Sequence, residues 1–117
     1  MKISIITASL NSQETIKSCM MSVLEQTYPH IEYLIIDGQS TDGTLGIVKE
    51  CQGQFPNANI KVISEPDKGI YDALNKGIAC ATGDVLGFVH SDDFLANSKI
   101  METIANQFNK QNIDLFI

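Results

Sequence analysis

Apolar positions along the chain alternate between two periods. Ile3, Ile5, Ile6 and Ala8 form a short run at the start, the pattern of a strand buried on both faces. Asn11 then precedes Ser12-Gln13-Glu14, an N-cap with an acid three residues on. Beyond it Ile16, Cys19, Met20, Val23 and Leu24 recur at helical spacing until Tyr28-Pro29 stops them. Residues 31–36 form a second apolar run, ending at Asp37-Gly38. A weaker helix follows through Leu45, Ile47, Val48 and Cys51, closed by Gly53 and Pro56. Ile60, Val62 and Ile63 predict a third strand, and Glu65-Pro66-Asp67-Lys68-Gly69 a turn-rich loop. Ile70, Ala73, Leu74, Gly77 and Ile78 predict a helix, and residues 85–89 a fourth strand that ends at His90-Ser91-Asp92-Asp93. Asn97 or Ser98 caps a last helix carrying Ile100, Met101, Ile104 and Phe108, and Leu115-Phe116-Ile117 predict a fifth strand.

Strand and helix alternate over residues 1–117 with no linker or repeat, which predicts one α/β domain: a mostly parallel sheet between two helical layers, with right-handed crossovers. The apolar final run is unlike the polar, exposed end of most chains. It suggests a truncated piece of a longer protein, the other reading being a natural terminus tucked into the sheet.

Composition narrows the function. Hydrophobic residues make up 44% and charged residues 19%, which excludes disordered and fibrous classes. Eight Lys+Arg against fourteen Asp+Glu give a net charge of -6, the wrong sign for a nucleic-acid partner. No run reaches a membrane span, and the start lacks the regions of a signal peptide. Cys19, Cys51 and Cys80 are dispersed, without a CxxC pair, and read as free thiols in a reducing compartment, the cytoplasm.

Candidate chemistry follows from the strand ends. Ligands of open α/β sheets bind beyond the carboxyl ends of the strands, and here those ends are Thr7-Ala8-Ser9, Asp37, Ser64-Glu65 and Asp92-Asp93. All are polar, although solvated loops alone would make them so. Adjacent carboxylates repel by about 4 kcal/mol at an effective dielectric of 20, so Asp92-Asp93 invites a hard cation such as Mg2+ or Mn2+, which shares carboxylates with substrate phosphates. The ordinary alternative is that one of them begins a turn before Asn97. In the stretch 37–44, Ser40 or Thr41 caps the next helix with Asp42 near its positive end, which leaves Asp37 free to accept hydrogen bonds from a nucleobase or ribose. Lys68 is the cation nearest these strand ends. His90 and His30 receive no role.

These stretches together resemble the nucleotide-binding half of GT-A glycosyltransferases of family 2. The resemblance rests on residues 3–12, 22–29 and 31–44, on Glu65-Pro66-Asp67-Lys68-Gly69-Ile70-Tyr71-Asp72-Ala73-Leu74-Asn75-Lys76-Gly77, and on residues 83–93. The fourth of these is similar to a subgroup that builds surface polysaccharides. It implies an inverting transfer of sugar from a nucleotide-diphosphate donor, usually UDP-linked, to a saccharide or lipid-linked acceptor. The implied nucleotide site consists of Thr7, Ala8, Ser9, Asn11, Asp37, Asp67, Lys68 and Asp92, with Asp37 on the base. Asp93, with Asp92, is the implied ligand of Mn2+ or Mg2+. His90 departs from the family's small or amide residue, and Gln39 replaces a common glycine. The resemblance also admits attachment of the whole protein to the inner face of the membrane, and the unfinished sheet edge admits a homodimer.

The general base of such an enzyme lies downstream of the metal-binding acids, and neither Glu102 nor Asp114 is placed like it. The expectation is therefore a chain that binds donor and metal without turnover by itself, and the alternative reading is a non-catalytic nucleotide- and metal-binding module. Two other classes lack their residues. A phosphoacceptor receiver needs acids after the first strand, where Thr7-Ala8-Ser9 stands, and a dinucleotide oxidoreductase needs GxGxxG there.

Overall fold

The computed structural model describes residues 1–111. In chain order it contains β1 (Ile3–Ser9), α1 (Ile16–Leu24), β2 (Ile31–Asp37), α2 (Thr44–Gln54), β3 (Asn59–Ser64), α3 (Ile70–Cys80), β4 (Val85–Phe88) and α4 (Ile100–Gln111). The expected strand at 115–117 lies outside the described residues. The four strands form one sheet in the order β3-β2-β1-β4, and every pairing is parallel. The chain thus steps outward from β1 to β3, then crosses back on α3 to place β4 on the other side of β1. That reversal opens a crevice at the carboxyl end of β1.

Strand alternation divides the core into two layers. Ile3 and Ile5, Tyr33 and Ile35, and Val85 face one way and pack with Ile16, Cys19 and Met20 of α1, Val48 and Cys51 of α2, and Met101 and Ala105 of α4. Ile6, Leu34 and Ile36 face the other way and pack on Ala73 of α3. Both layers bury apolar side chains against the sheet, which is the main stabilising term of such a domain.

Two helix starts differ from expectation. Asn11 does not cap α1: residues 13–15 form a turn, the Ser12 carbonyl accepts the Ile16 N–H at 2.9 Å, and α1 begins at Ile16. Nor do Ser40 or Thr41 cap α2. Gly43 occupies the cap position, and Asp42 just before it holds the first helical residue, its Oδ1 accepting from the Thr44 N–H at 2.9 Å and the Thr44 hydroxyl at 2.5 Å. Asn97 does cap the last helix's approach, its Oδ1 accepting the Lys99 N–H at 2.9 Å.

Candidate functional site at the carboxyl edge of the sheet

Parallel register brings Ser9, Asp37 and Ser64 abreast at the carboxyl edge. The hydroxyls of Ser9 and Ser40 donate to Asp37 Oδ1 at 2.8 and 2.6 Å, while the Ser40 N–H and the Ser64 hydroxyl donate to Oδ2 at 2.8 and 3.0 Å. Asp37 is fully buried. Burial raises the pKa of its carboxyl, but the donors of Ser40, Ser9 and Ser64 outweigh that and hold it below the ordinary aspartate range. Asp37 therefore ties three strand ends and the loop after β2 into one unit through hydroxyl and N–H donors.

The loop after β1 is clasped to that loop. Asn11, in a left-handed conformation with φ 48°, accepts the Thr41 N–H on its Oδ1 at 2.8 Å, and its own N–H reaches Ser40 Oγ at 2.9 Å. Gln13 adds a reciprocal pair: its Oε1 accepts the Gly43 N–H at 2.8 Å and its N–H donates to Asp42 at 3.3 Å. Ser12 turns to the opposite side, its hydroxyl 2.9 Å from that of Ser91. The loops after β1, β2 and β4 are thereby held together.

Between the loops after β1, β3 and β4 lies a cleft of about 250 Å3, lined by Ala8, Ser9, Leu10, Ser12, Asp67, Gly69, Ile70, Ala73 and Ser91. Asp67 reaches it because position 38 has no side chain. A Cβ on Gly38 would stand 2.8 Å from Asp67 Oδ2. The other carboxyl oxygen of Asp67 accepts the Gly69 N–H at 3.0 Å. The loop carrying Asp67 is braced from α3 by Lys76, whose Nζ donates to the Pro66 carbonyl at 2.7 Å and pairs with Glu65 at 3.2 Å. Lys76 is thus spent on the fold, whereas Lys68 is exposed beside the cleft.

Asp92 and Asp93 follow Ser91 at the rim, and both are exposed. The Asp93 N–H closes a turn onto the His90 carbonyl at 2.9 Å, and Asp93 Oδ1 accepts the Phe94 N–H at 2.8 Å. Among the described residues neither carboxylate forms an ion pair, and no third acid, histidine or cysteine joins them in a ligand cluster. Two hard oxygen donors open to solvent fit Mg2+ or Mn2+, which are bound through one or two carboxylates with substrate phosphates completing the shell. A larger hollow of about 390 Å3 between α1 and residues 94–98 contains one ionisable side chain, Glu25. The polar strand ends converge on the smaller cleft instead.

Beneath the rim, Thr7 is fully buried and points into the core. Its hydroxyl donates to the Val89 carbonyl at 2.7 Å and stands 2.9 Å from the Tyr33 hydroxyl, with Cys19 Sγ 3.7 Å from each. Burial raises the pKa of both Tyr33 and Cys19, so both groups keep their protons.

Of the residues expected at the nucleotide site, Ala8, Ser9 and Asp67 line one cleft, with Lys68, Asp92 and Asp93 next to it. The side chains of Thr7 and Asp37 are fully buried, because each is held by partners within the sheet, Thr7 by the Val89 carbonyl and Asp37 by Ser9, Ser40 and Ser64. Asn11 spends its side chain on the loop after β2. Glu102 accepts the Thr27 hydroxyl at 2.7 Å on the far flank of α1, and Asp114 lies outside the described residues. Sequence reading missed the joining roles of Ser12, Gln13, Ser91 and Lys76. The signal available was a high density of small polar residues after β1, ambiguous between solvation and clasping.

The family model described as Glycosyl transferase family 2 matches residues 4–117. An uncharacterized glycosyltransferase of Mycobacterium tuberculosis (strain ATCC 25618 / H37Rv) is 41% identical over 92 residues, which cover 78% of this chain and 34% of that protein. The crystal structure of S. aureus TarS 1-349 in complex with UDP-GlcNAc aligns with a TM-score of 0.87 at 28% identity, over 96% of this chain and 32% of that one. The mannosyltransferase PcManGT from Pyrobaculum calidifontis, in complex with GDP-Man and Mn2+, aligns with a TM-score of 0.81 at 26% identity, over 90% of this chain and 30% of that one. The chain spans about a third of the length of the curated relatives it matches.

Proposed function

The chain belongs to glycosyl transferase family 2 and has the GT-A fold, and from that premise we propose that residues 1–117 hold the donor of an inverting sugar transfer, a UDP-linked sugar, beside a divalent cation. The observation that carries this reading is the pair Asp92-Asp93, exposed and without an ion pair among the described residues, at the rim of a cleft at the sheet's switch point. An acidic domain repels an anionic diphosphate, and a cation gripped by Asp93 with Asp92 reverses that. When bound, such an ion neutralises the diphosphate and the charge that develops on the departing nucleotide. The Mn2+ in the PcManGT complex supports this assignment.

In this proposal the nucleoside lies in the cleft, against Ala8 and Ser9 with Asp67 and Lys68 at its edge. Asp37 acts on the base indirectly, by fixing Ser9, which lines the cleft. The acceptor, a saccharide or lipid-linked saccharide of a cell-surface polymer, delivers a hydroxyl to the anomeric carbon from the face opposite the nucleotide. That hydroxyl must lose its proton to a base. The carboxylates at this edge among the described residues have other roles, Asp37, Asp42 and Glu65 in the fold and Asp67, Asp92 and Asp93 at the proposed donor and metal site, so we place the base elsewhere in the whole protein. The 117 residues then bind donor and metal without turning over. The free thiols of Cys19, Cys51 and Cys80 support a cytoplasmic location.

Titration calorimetry with UDP and with GDP, each with and without Mn2+, tests the reading. We expect Mn2+ to tighten UDP binding about tenfold or more, and Asp93→Ala to abolish that gain. Affinity indifferent to both the ion and the substitution would overturn it.

A further inference from the structure

A threonine hydroxyl has one proton to give. Thr7 gives its proton to the Val89 carbonyl, 2.7 Å away, so the 2.9 Å contact with Tyr33 must run from the Tyr33 hydroxyl to Thr7 Oγ1. The Cys19 thiol stands 3.7 Å from both oxygens, either of which has a lone pair left to accept its proton. Tyr33 and Thr7 form a directed relay that ends on the Val89 carbonyl, with Cys19 packed against both hydroxyls. Thr7 and Cys19 are fully buried and Tyr33 is 1% exposed. Buried relays of this kind are stiff, because each bond polarises the next and no water can replace a lost partner.

The place where the relay ends gives it a consequence. The β1–β4 ladder pairs Ile6 with Phe88, the last residue of β4, and the Val89 N–H still donates to the Ile6 carbonyl at 3.1 Å. Val89 is therefore where the chain leaves the sheet. At that point a side-chain hydroxyl from β1, not a backbone N–H, takes the Val89 carbonyl. One residue later the turn from His90 to Asp93 begins. On the far side, the Leu95 N–H is fixed to Ser22 Oγ at 3.0 Å. Between these anchors, the hydrogen bond that joins the segment to the rest of the described residues is the contact of the Ser12 and Ser91 hydroxyls.

We propose that Thr7, with Tyr33 behind it, is a positioning residue for the acidic pair: the buried relay sets the direction in which the chain leaves β4 and so fixes where Asp92 and Asp93 stand. The consequence for the cation rests on the reading above; the effect on the turn does not. Thr7 thereby serves the site through Val89 and not by touching the nucleotide.

The test uses Thr7→Val, which keeps the shape and removes the hydroxyl, Thr7→Ser, which restores the hydroxyl, and Tyr33→Phe in case Thr7→Val does not fold. Backbone amide exchange of residues 90–94 is measured first on metal-free protein. We expect Thr7→Val to speed exchange of the Asp93 amide about tenfold, Tyr33→Phe to do so less, and Thr7→Ser to match the unmodified chain. Mn2+ titration in the presence of UDP follows, and the dissociation constant should rise about tenfold in Thr7→Val, the low end of the range for losing an outer-sphere support of a metal ligand. Exchange at 90–94 that stays unchanged in a folded Thr7→Val or Tyr33→Phe chain would overturn the proposal, whatever happens to overall stability. Loosened exchange in a protein whose unmodified form ignores Mn2+ would support the relay and remove the metal reading instead.

Discussion

The two edges of the sheet treat their carboxylates in opposite ways. At the amino edge, Glu32 is fully buried on β2 and saturated with donors. Its Oε1 accepts the Ser4 hydroxyl at 2.8 Å and the Thr82 N–H at 2.9 Å, while its Oε2 accepts the Thr82 hydroxyl at 2.9 Å and Lys61 at 3.0 Å, with Lys2 at 3.4 Å. Lys2 also donates to the Thr82 hydroxyl. At the carboxyl edge, Asp92 and Asp93 stand in solvent without a countercharge among the described residues. The first arrangement is complete within the chain. The second is the one our proposed cation would complete. Within one small sheet, the buried charge of Glu32 is neutralised internally, and among the described residues the exposed charge of Asp92 and Asp93 is not. Asp37 falls between the two, buried like Glu32 but held by hydroxyls and one N–H alone.

Substitution at each edge should therefore move a different observable. Glu32→Ala should cost about 3 kcal/mol of stability in denaturant unfolding, mostly from stranding the donors of Ser4 and Thr82. The half-exposed lysines add little. Nucleotide affinity of the folded fraction should stay unchanged. Asp93→Asn should do the reverse, weakening Mn2+-dependent UDP binding about thirtyfold while the thermal midpoint holds. If Asp93→Asn unfolded the protein, or Glu32→Ala selectively abolished binding, the division between edges would fail.

Acid sharpens the same contrast. Burial works against the Glu32 charge, but its hydrogen bonds from Thr82, Lys61 and Ser4 outweigh burial and hold its pKa far below the usual glutamate value. A carboxyl depressed in the native state stabilises fully above its unfolded value of about 4.3, and that contribution disappears as the pH falls toward the native one. Asp37 has the same sign. Stability should thus decline steadily below about pH 4.3, and Glu32→Gln should flatten the decline; an unchanged slope would show that Glu32 is not its source. The smallest effect concerns Gln39, whose φ of 61° lies in the left-handed region. Glycine there should raise stability by about 0.5 kcal/mol, as strain is relieved against a greater chain entropy.

The fold was legible in the sequence because alternation of period 2 and period 3.6 is forced by burial. Residues 3–9, 31–37 and 85–88 are strands where apolar runs stood, and the parallel sheet followed from their separation by helices. Boundaries were harder to read. Asn11 has the composition of a cap, yet its side chain is drawn to Thr41 across thirty positions, a contact with no local signature. The acids at the strand ends were legible as a group, since a sheet's polar ends converge. Which of them face solvent was not, because that depends on register: Asp37 sits abreast of Ser9 and Ser64 and is satisfied there, whereas Asp92 and Asp93 lie past the end of β4. Glu32 passed unnoticed inside an apolar run, as its partners Thr82 and Lys61 come from distant segments.

The most direct measurement is the anomalous signal of manganese in crystals grown with UDP. We expect one ion within about 2.2 Å of an Asp93 carboxylate oxygen, bridging to the diphosphate, with the base in the cleft beside Ala8, Ser9 and Asp67. A diphosphate bound without an ion near Asp93, or manganese held at another edge of the sheet, would refute the claim that this pair is left open for metal.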